Sequence, residues 1–261
     1  MAAQLLADLP PLPDVPRWLE TRAMLRSPYV TVTGGQEGGE VGWVVRLVHG
    51  AISALAVVGW PPVEAIGVAL QGVTALTPIM AQNDNADHVE RALIDLTASR
   101  GGEPWKRDRV ILHRLTSSPA LRHVDVEQTV AIRLLKRGDS LDHLFPELRH
   151  EIRHAREMAP VAAAFVDGQP VSFCYPVWTT ESMWDVSIDT LPDHRRHGLA
   201  AHVSRFMTAH MRREGREPMW AALESNAASL RLAAHLGFTA VDDVVAFSHG
   251  AWVFLSGGFT G

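Results

Sequence analysis

The sequence predicts an α/β (α+β) protein in which mixed sheets are flanked by helices, arranged as two domains. Three observations predict it. Short β-branched runs alternate with longer runs whose apolar residues recur at helical spacing. The order of these runs in the second half returns, in weaker form, in the first half. The length of 261 residues is enough for two cores.

The first half opens on a proline-rich lead-in, with Pro10, Pro11, Pro13 and Pro16, which favours extended chain. Residues 18–26 read as a short helix. Residues 29–33 alternate and read as a strand, and the glycine-rich run 34–39 as a flexible turn. Residues 42–48 and 52–58 read as a hairpin across His49-Gly50. Pro61-Pro62 is a start signal for a helix over 63–70. A short strand over 77–81 follows, then an Asn- or Asp-capped helix over 85–96 and a strand over 109–115. The polar stretch 116–128 is the best linker, so the expected domains are 1–125 and 126–261.

In the second half, 129–135 reads as a strand. Ser140 caps a helix over 141–158, kinked near Pro146. Residues 161–166 and 171–178 form a hairpin through Asp167-Gly168. Residues 183–190 are another strand. The run 199–214 is a strong helix, with Leu199, Val203, Phe206, Met207, His210 and Met211 on one face and Arg212 and Arg213 at its C-terminal end. A strand over 219–223, a helix over 227–236 closed by Gly237, and a final pair, 238–248 with 251–255 around His249-Gly250, complete the chain.

Composition narrows the function. The net charge of −5 argues against nucleic acid as the main partner and mildly favours cationic small molecules. The single cysteine, Cys174, excludes an internal disulfide and fits a reducing compartment; in mid-strand it reads as a small core residue. The N-terminus lacks the basic start and long apolar run of a signal peptide. The longest apolar stretch, 51–60, is interrupted by Ser53 and Gly59 and is too short to span a bilayer. The expectation is a cytoplasmic protein, monomeric or homodimeric, with no membrane partner.

The chemistry concentrates between Asp185 and Phe238. A strand ends near a proline, and Arg195-Arg-His-Gly-Leu-Ala200 leads into a helix. Free amides at a helix N-terminus, the helix dipole and a glycine that admits close approach together suit a pyrophosphate. Downstream stand Asn226, Ser229, Leu230 and Leu232, then Leu236-Gly-Phe238. These two signatures, separated by a helix and a strand, resemble the acyl-CoA loop and the Asn…Leu-Gly-Phe segment of the GNAT N-acetyltransferase superfamily. The resemblance covers about residues 129–255, with the first half as a degenerate GNAT-like copy.

The resemblance implies a GNAT fold and acetyl-CoA as acyl donor. The backbone of Ile188, Asp189 and Thr190 would pair with the pantetheine arm. The amides of Arg195, Arg196, His197, Gly198, Leu199, Ala200 and Ala201 would hold the pyrophosphate, and Asn226 and Ser229 would line the channel. The reaction would be direct acetyl transfer to an amine, with no metal and no covalent enzyme intermediate. The tyrosine that often serves the family as general acid falls here at Ala233, a departure that leaves the acid unassigned. For the base or amine anchor, Asp185 and Glu224 are favoured, with Glu151 and Glu181 as further candidates. Asp185, Ser187 and Asp189 share one strand face, and Trp178 and Trp184 flank a candidate acceptor pocket. The first half lacks the arginine–glycine loop and is expected to bind no cofactor but to shape the acceptor site.

Two other readings compete. Without the usual tyrosine, the chain could be a non-catalytic acyl-CoA sensor or interaction module. His150-Glu-Ile-Arg-His154 matches a zinc-hydrolase spacing, with Glu151 as base, but Arg149 and Arg153 put positive charge where zinc would sit.

Overall fold

The protein is described from a computed structural model over residues 9–49, 52–73, 77–117 and 130–249. The expected strand 251–255, the turns at His49-Gly50 and His249-Gly250, and most of the linker lie wholly or partly outside these residues.

The first half runs from a 3₁₀ turn, Pro16–Trp18, into helix α1 (Leu19–Leu25). Strands β1 (Val30–Glu37), β2 (Glu40–His49) and β3 (Ile52–Gly59) follow, then α2 (Val63–Ala69), β4 (Ile79–Ala81), α3 (Ala86–Arg100) and β5 (Lys106–Leu115). The second half has β6 (Val130–Leu134), α4 (Pro146–Met158), β7 (Ala162–Val166), β8 (Gln169–Thr179) and β9 (Met183–Thr190). It ends with α5 (Leu199–Arg213), β10 (Glu217–Leu223), α6 (Ala227–His235) and β11 (Phe238–Ser248). A helix, a three-strand meander, a helix, a strand, a helix and a strand therefore occur twice in the same order, with β6 added to the second half.

Three expectations change. The 34–39 run is not a loop: Gly34 and Gly35 lie inside β1, opposite Trp43 and Gly42. A Cβ on Gly34 would stand 2.7 Å from the Gly42 carbonyl, so glycine here serves close strand approach, and the turn itself is Gly38-Gly39. The 141–158 helix begins only at Pro146. Phe145 precedes a proline, which disfavours helical backbone, and it stays extended at φ −62°, ψ 153°. Ser140 does not cap α4; its hydroxyl accepts the Asp142 amide in a local turn. Helix α3 runs on to Arg100, where Gly101 at φ 73° ends it. The Asp167-Gly168 hairpin stands as read, with φ of 51° and 81°, as a type I′ turn requires.

Contacts divide the chain into two compact units. The first holds Met1–Leu112, Ala222–Ala227 and Ala240–Val253; the second holds His113–Ala221, Ala228–Thr239 and Phe254–Gly261. Part of the last described strand, β11, is counted with the first unit. There β11 pairs antiparallel with β4, Val245 opposite Ala81 and Phe247 opposite Ile79.

In the first unit the strand order is β1-β2-β3-β4-β11-β5. Its core joins Val44, Leu55 and Val57 to Ile66 of α2, Val89 and Leu93 of α3, and Phe247. In the second unit the order is β10-β9-β8-β7-β6. One face of that sheet carries Phe165, Phe173 and Tyr175 against Leu148, Ile152 and Ala155 of α4. The other face packs on α5, whose Leu199 meets Ala164 and Val166 and whose Ser204 reaches Cys174. Among the described residues no helix is long and apolar enough to cross a membrane.

Candidate functional site

The second unit positions a site through the way β9 leaves its neighbour. Strands β9 and β10 pair in parallel only at Met183, Trp184 and Asp185. On its other side β9 stays paired with β8 up to Thr190. The Leu191 amide donates to the Val171 carbonyl at 2.9 Å, which makes that pair a hydrogen-bonded one. Hydrogen-bonded pairs alternate along an antiparallel ladder, so Ser187 and Asp189 also turn their backbone toward β8. Ile188 and Thr190 turn theirs the other way, to the edge that β10 has left. The Ile188 N–H and carbonyl and the Thr190 N–H thus face that edge, the arrangement strand addition uses. The Asp189 backbone, expected in the same role, faces β8 instead.

Past β9 the chain makes a 3₁₀ turn, Pro192–His194, and then the loop that enters α5. Gly198 holds the N-cap position at φ 79°, ψ −2°, a left-handed conformation natural to glycine. A Cβ there would find its nearest neighbour, His202, at 4.0 Å, so conformation, not space, selects glycine. Arg196 is also left-handed, at φ 67°. A non-glycine residue in this region costs energy, and such strain gathers at ligand clamps. The Ala201 and His202 amides are already bonded to the Gly198 carbonyl, which leaves the amides before them at the helix mouth. Arg195, Arg196 and His197 are exposed around that mouth, and Arg195 Nε donates to the Thr190 carbonyl at 3.1 Å. That bond ties the loop to the strand end. An open strand edge, a helix N-terminus, a left-handed glycine and two guanidinium groups fit a diphosphate joined to an amide-bearing arm.

On the α4 face of the sheet lies a buried polar cluster that periodicity had only half located. Asp185, Ser187 and Asp189 do share this face, each at most 9% exposed. The Tyr175 hydroxyl stands among them, 2.8 Å from Asp189 Oδ2 and 2.7 Å from Glu151 Oε1. Burial, together with the Asp189 charge, pushes Glu151 up to about 7, against the opposing Tyr175 hydrogen bond. Burial also raises Asp189, opposed by the Tyr175 bond and by Arg195. Tyr175 is raised well above the usual phenol range, first by burial and then by the two carboxyl groups. The signal for Tyr175 was its place opposite Ser187 in the ladder, which a single strand does not reveal.

The remaining expected site residues are placed differently. Glu224 and Asn226 fall in the first unit. The Glu224 carboxylate is exposed and accepts Arg109 Nη1 at 3.0 Å, and Arg109 also grips Asp243. Ser229 belongs to the second unit, where its hydroxyl accepts the Trp220 indole N–H at 3.0 Å. Ala233 is fully buried. Trp184 is also fully buried and is a core residue, not a pocket wall. His150 and His154 lie on α4, but Glu151 between them turns inward to Tyr175. Among the described residues no group of three or more His, Cys, Asp or Glu converges as a metal site.

The same region of the first half is built the opposite way. After β3 the chain reads Gly59-Trp-Pro-Pro62, and prolines offer no N–H. The Gly59 carbonyl accepts Asn85 Nδ2 at 2.7 Å, and the Pro61 carbonyl lies 2.7 Å from His88 Nε2. Side chains of α3 thus satisfy the loop from within.

A protein-family model described as GNAT acetyltransferase matches residues 161–247. No curated protein matches the sequence. Among solved structures, a GCN5-related N-acetyltransferase-like protein from Streptococcus suis is 17% identical; the match covers 94% of this chain and 96% of that one, at a TM-score of 0.64. A GCN5-related N-acetyltransferase from Kribbella flavida is 14% identical, with 96% of each chain covered and a TM-score of 0.52. A tandem GNAT protein from the clavulanic acid biosynthesis pathway, solved without AcCoA, is 15% identical; 95% of this chain and 92% of that one are covered at a TM-score of 0.51. At these identities the likeness is one of fold, and it extends over nearly the whole chain.

Proposed function

With a GNAT acetyltransferase domain matched over residues 161–247, we propose that this protein is an acetyl-CoA-dependent N-acetyltransferase that acetylates an amine of a small molecule, a metabolite or an antibiotic-like compound. GNAT proteins use acetyl-CoA as acyl donor. The observation that carries the reading is the run from the open edge at Ile188 and Thr190 to the left-handed Gly198 at the mouth of α5. Ile188 and Thr190 would pair with the pantetheine arm, and the loop from Arg196 to Ala200, with the Arg195 guanidinium beside it, would hold the pyrophosphate; the Arg195 and Ala201 amides are bonded within the chain. Ser229 would lie along the arm. Of the two carboxylates favoured from sequence, Asp185 suits an amine anchor or base better, because it is buried and lies on β9 itself. Glu224 is engaged by Arg109.

The acceptor is proposed to be cationic, in keeping with the net charge of −5. The repeated element order supports two GNAT-like halves, 1–125 and 126–261, joined near residue 125. In this reading the first half lost its cofactor loop to Pro61 and Pro62 and serves the acceptor side. A single, buried cysteine fits a cytoplasmic protein.

The test is Gly198→Asp, which sets a carboxylate against the diphosphate. Calorimetry should show at least about tenfold weaker acetyl-CoA binding; unchanged affinity would remove this site. A second reading, a non-catalytic acyl-CoA sensor, is favoured by Ala233 standing where the family's acid often stands. Tight binding of acetyl-CoA with no CoA released to any member of an amine panel would select it.

A further inference from the structure

The two short contacts of Tyr175 pose a counting problem. The phenol oxygen lies 2.7 Å from Glu151 Oε1 and 2.8 Å from Asp189 Oδ2. Each separation is a hydrogen bond and needs a hydrogen between its oxygens. The phenol supplies one. Glu151 and Asp189, when ionised, are acceptors only, so the second hydrogen belongs to a carboxyl group. Three oxygens in a row therefore share two protons and carry one negative charge.

Which carboxyl is neutral follows from the surroundings. Asp189 lies in the field of Arg195, which stabilises its charge. Glu151, partly exposed on α4, has no cation in that role, and the nearby Asp189 charge opposes its ionisation. Asp185 adds a further carboxyl on the same face of β9, with Ser187 between it and Asp189. The favoured arrangement is Glu151 as a neutral acid donating to Tyr175, and Tyr175 donating to ionised Asp189. The row adjoins the open edge, since Asp189 lies between Ile188 and Thr190.

We infer that Glu151, Tyr175 and Asp189 form one proton-sharing unit, and that Glu151 is the acid which protonates the departing sulfur in place of the tyrosine absent at position 233. The inference rests on the acyl-transfer reading. As the C–N bond forms and the C–S bond breaks, Glu151 gives its proton to the sulfur. Tyr175 then turns its hydrogen toward the new Glu151 carboxylate. Glu151 recovers a proton from the nitrogen that has just been acylated. The net change is one proton moved from nitrogen to sulfur, with no other reactant. Glu151 is the catalytic residue of the set; Tyr175 and Asp189 are positioning residues that act through it.

The test uses full-length protein labelled with ¹³C at glutamate side-chain carboxyls, followed by NMR across pH. The resonance lost in E151Q identifies Glu151, and its midpoint is expected near 7. D189N, which removes the like charge, and Y175F, which removes the acceptor of the neutral acid's hydrogen, should both lower that midpoint. A merely structural role would not tie the Glu151 midpoint to both neighbours. A Glu151 midpoint in the ordinary carboxylate range, or one indifferent to both variants, overturns the unit. With an amine accepted by the wild type, the transfer rate should fall as pH rises through the Glu151 midpoint, and E151Q should lose at least about a hundredfold of the rate. E151Q with wild-type rate and pH profile overturns the acid role. Calorimetric binding of acetyl-CoA, measured on the same samples, tests the transferase reading separately. Failure to bind would sink that reading while the titration still decides the proton unit.

Discussion

The Asn85 side-chain amide donates to the Gly59 carbonyl at 2.7 Å, while its oxygen accepts the Gln82 amide at 2.9 Å. One buried side chain thus ties the end of β3 to the start of α3, where the second half instead leaves Arg195, Arg196 and His197 exposed at the helix mouth. Asn85→Ala leaves two backbone groups without their partner. It should cost about 2–4 kcal/mol in urea unfolding. Affinity for acetyl-CoA should stay within about twofold, with one molecule bound per chain. A second binding event by calorimetry would show that the first half is not closed.

Arg196 offers a substitution in which stability and binding part company. At φ 67° it occupies backbone that glycine adopts without strain. Arg196→Gly should raise stability by roughly 0.5–1 kcal/mol, or at least not lower it, once the entropy of the unfolded chain is counted. It should also weaken acetyl-CoA binding about three- to tenfold by removing a cation from the helix mouth. A variant that loses stability, or that binds as before, would show that the strain is unrelated to the ligand.

Much of this was legible in the chain because local chemistry fixed it. Arg195-Arg-His-Gly announces a loop that enters a helix at a glycine, and Asp167-Gly168 a type I′ turn. Pro146 ended the approach to α4 where proline sterics place it, although apolar periodicity carried the expected helix back to 141. Side-chain partners were not legible. Tyr175 reads as an ordinary strand aromatic until the ladder brings it opposite Ser187 and α4 lays Glu151 across it. Glu224 reads as a strand-end carboxylate until Arg109, over a hundred positions away, takes it up. Counting part of β11 with the first unit is likewise a property of long-range pairing. Nothing in the residues of β11 says that Val245 will lie opposite Ala81.

Placing a tyrosine at position 233, where GNAT acetyltransferases often carry one, should fail. Ala233 is fully buried on α6. Ala233→Tyr must place a phenol in a space that now holds a methyl group, and overpacking of this kind costs about 1–3 kcal/mol or more. Thermal unfolding should show the loss, with no gain in turnover on any amine the wild type accepts. A stable variant with faster transfer would mean that the site had kept room for the missing acid.

The proton held at Glu151 also enters the stability of the whole fold. Its folded-state value, about 7, lies above its ordinary value of 4.5. Between the two, the folded state binds more proton than the unfolded chain, so stability falls as pH rises. The contribution is complete below 4.5 and is lost once pH has passed through about 7. Asp139 and Asp243 shift the other way, held low by Arg133 and Arg109, and their effect lies at more acid pH. Asp189, raised like Glu151, adds to the same trend and remains in a Glu151 variant. Glu151→Gln keeps a neutral group at the position throughout. Urea midpoints at pH 5.5 and pH 8 should therefore fall less in E151Q than in the wild type, by roughly 1–2 kcal/mol after allowance for the partial exposure of the carboxyl. Equal falls in both proteins would place the neutral carboxyl elsewhere, leaving the hydrogen that Tyr175 requires to come from Asp189.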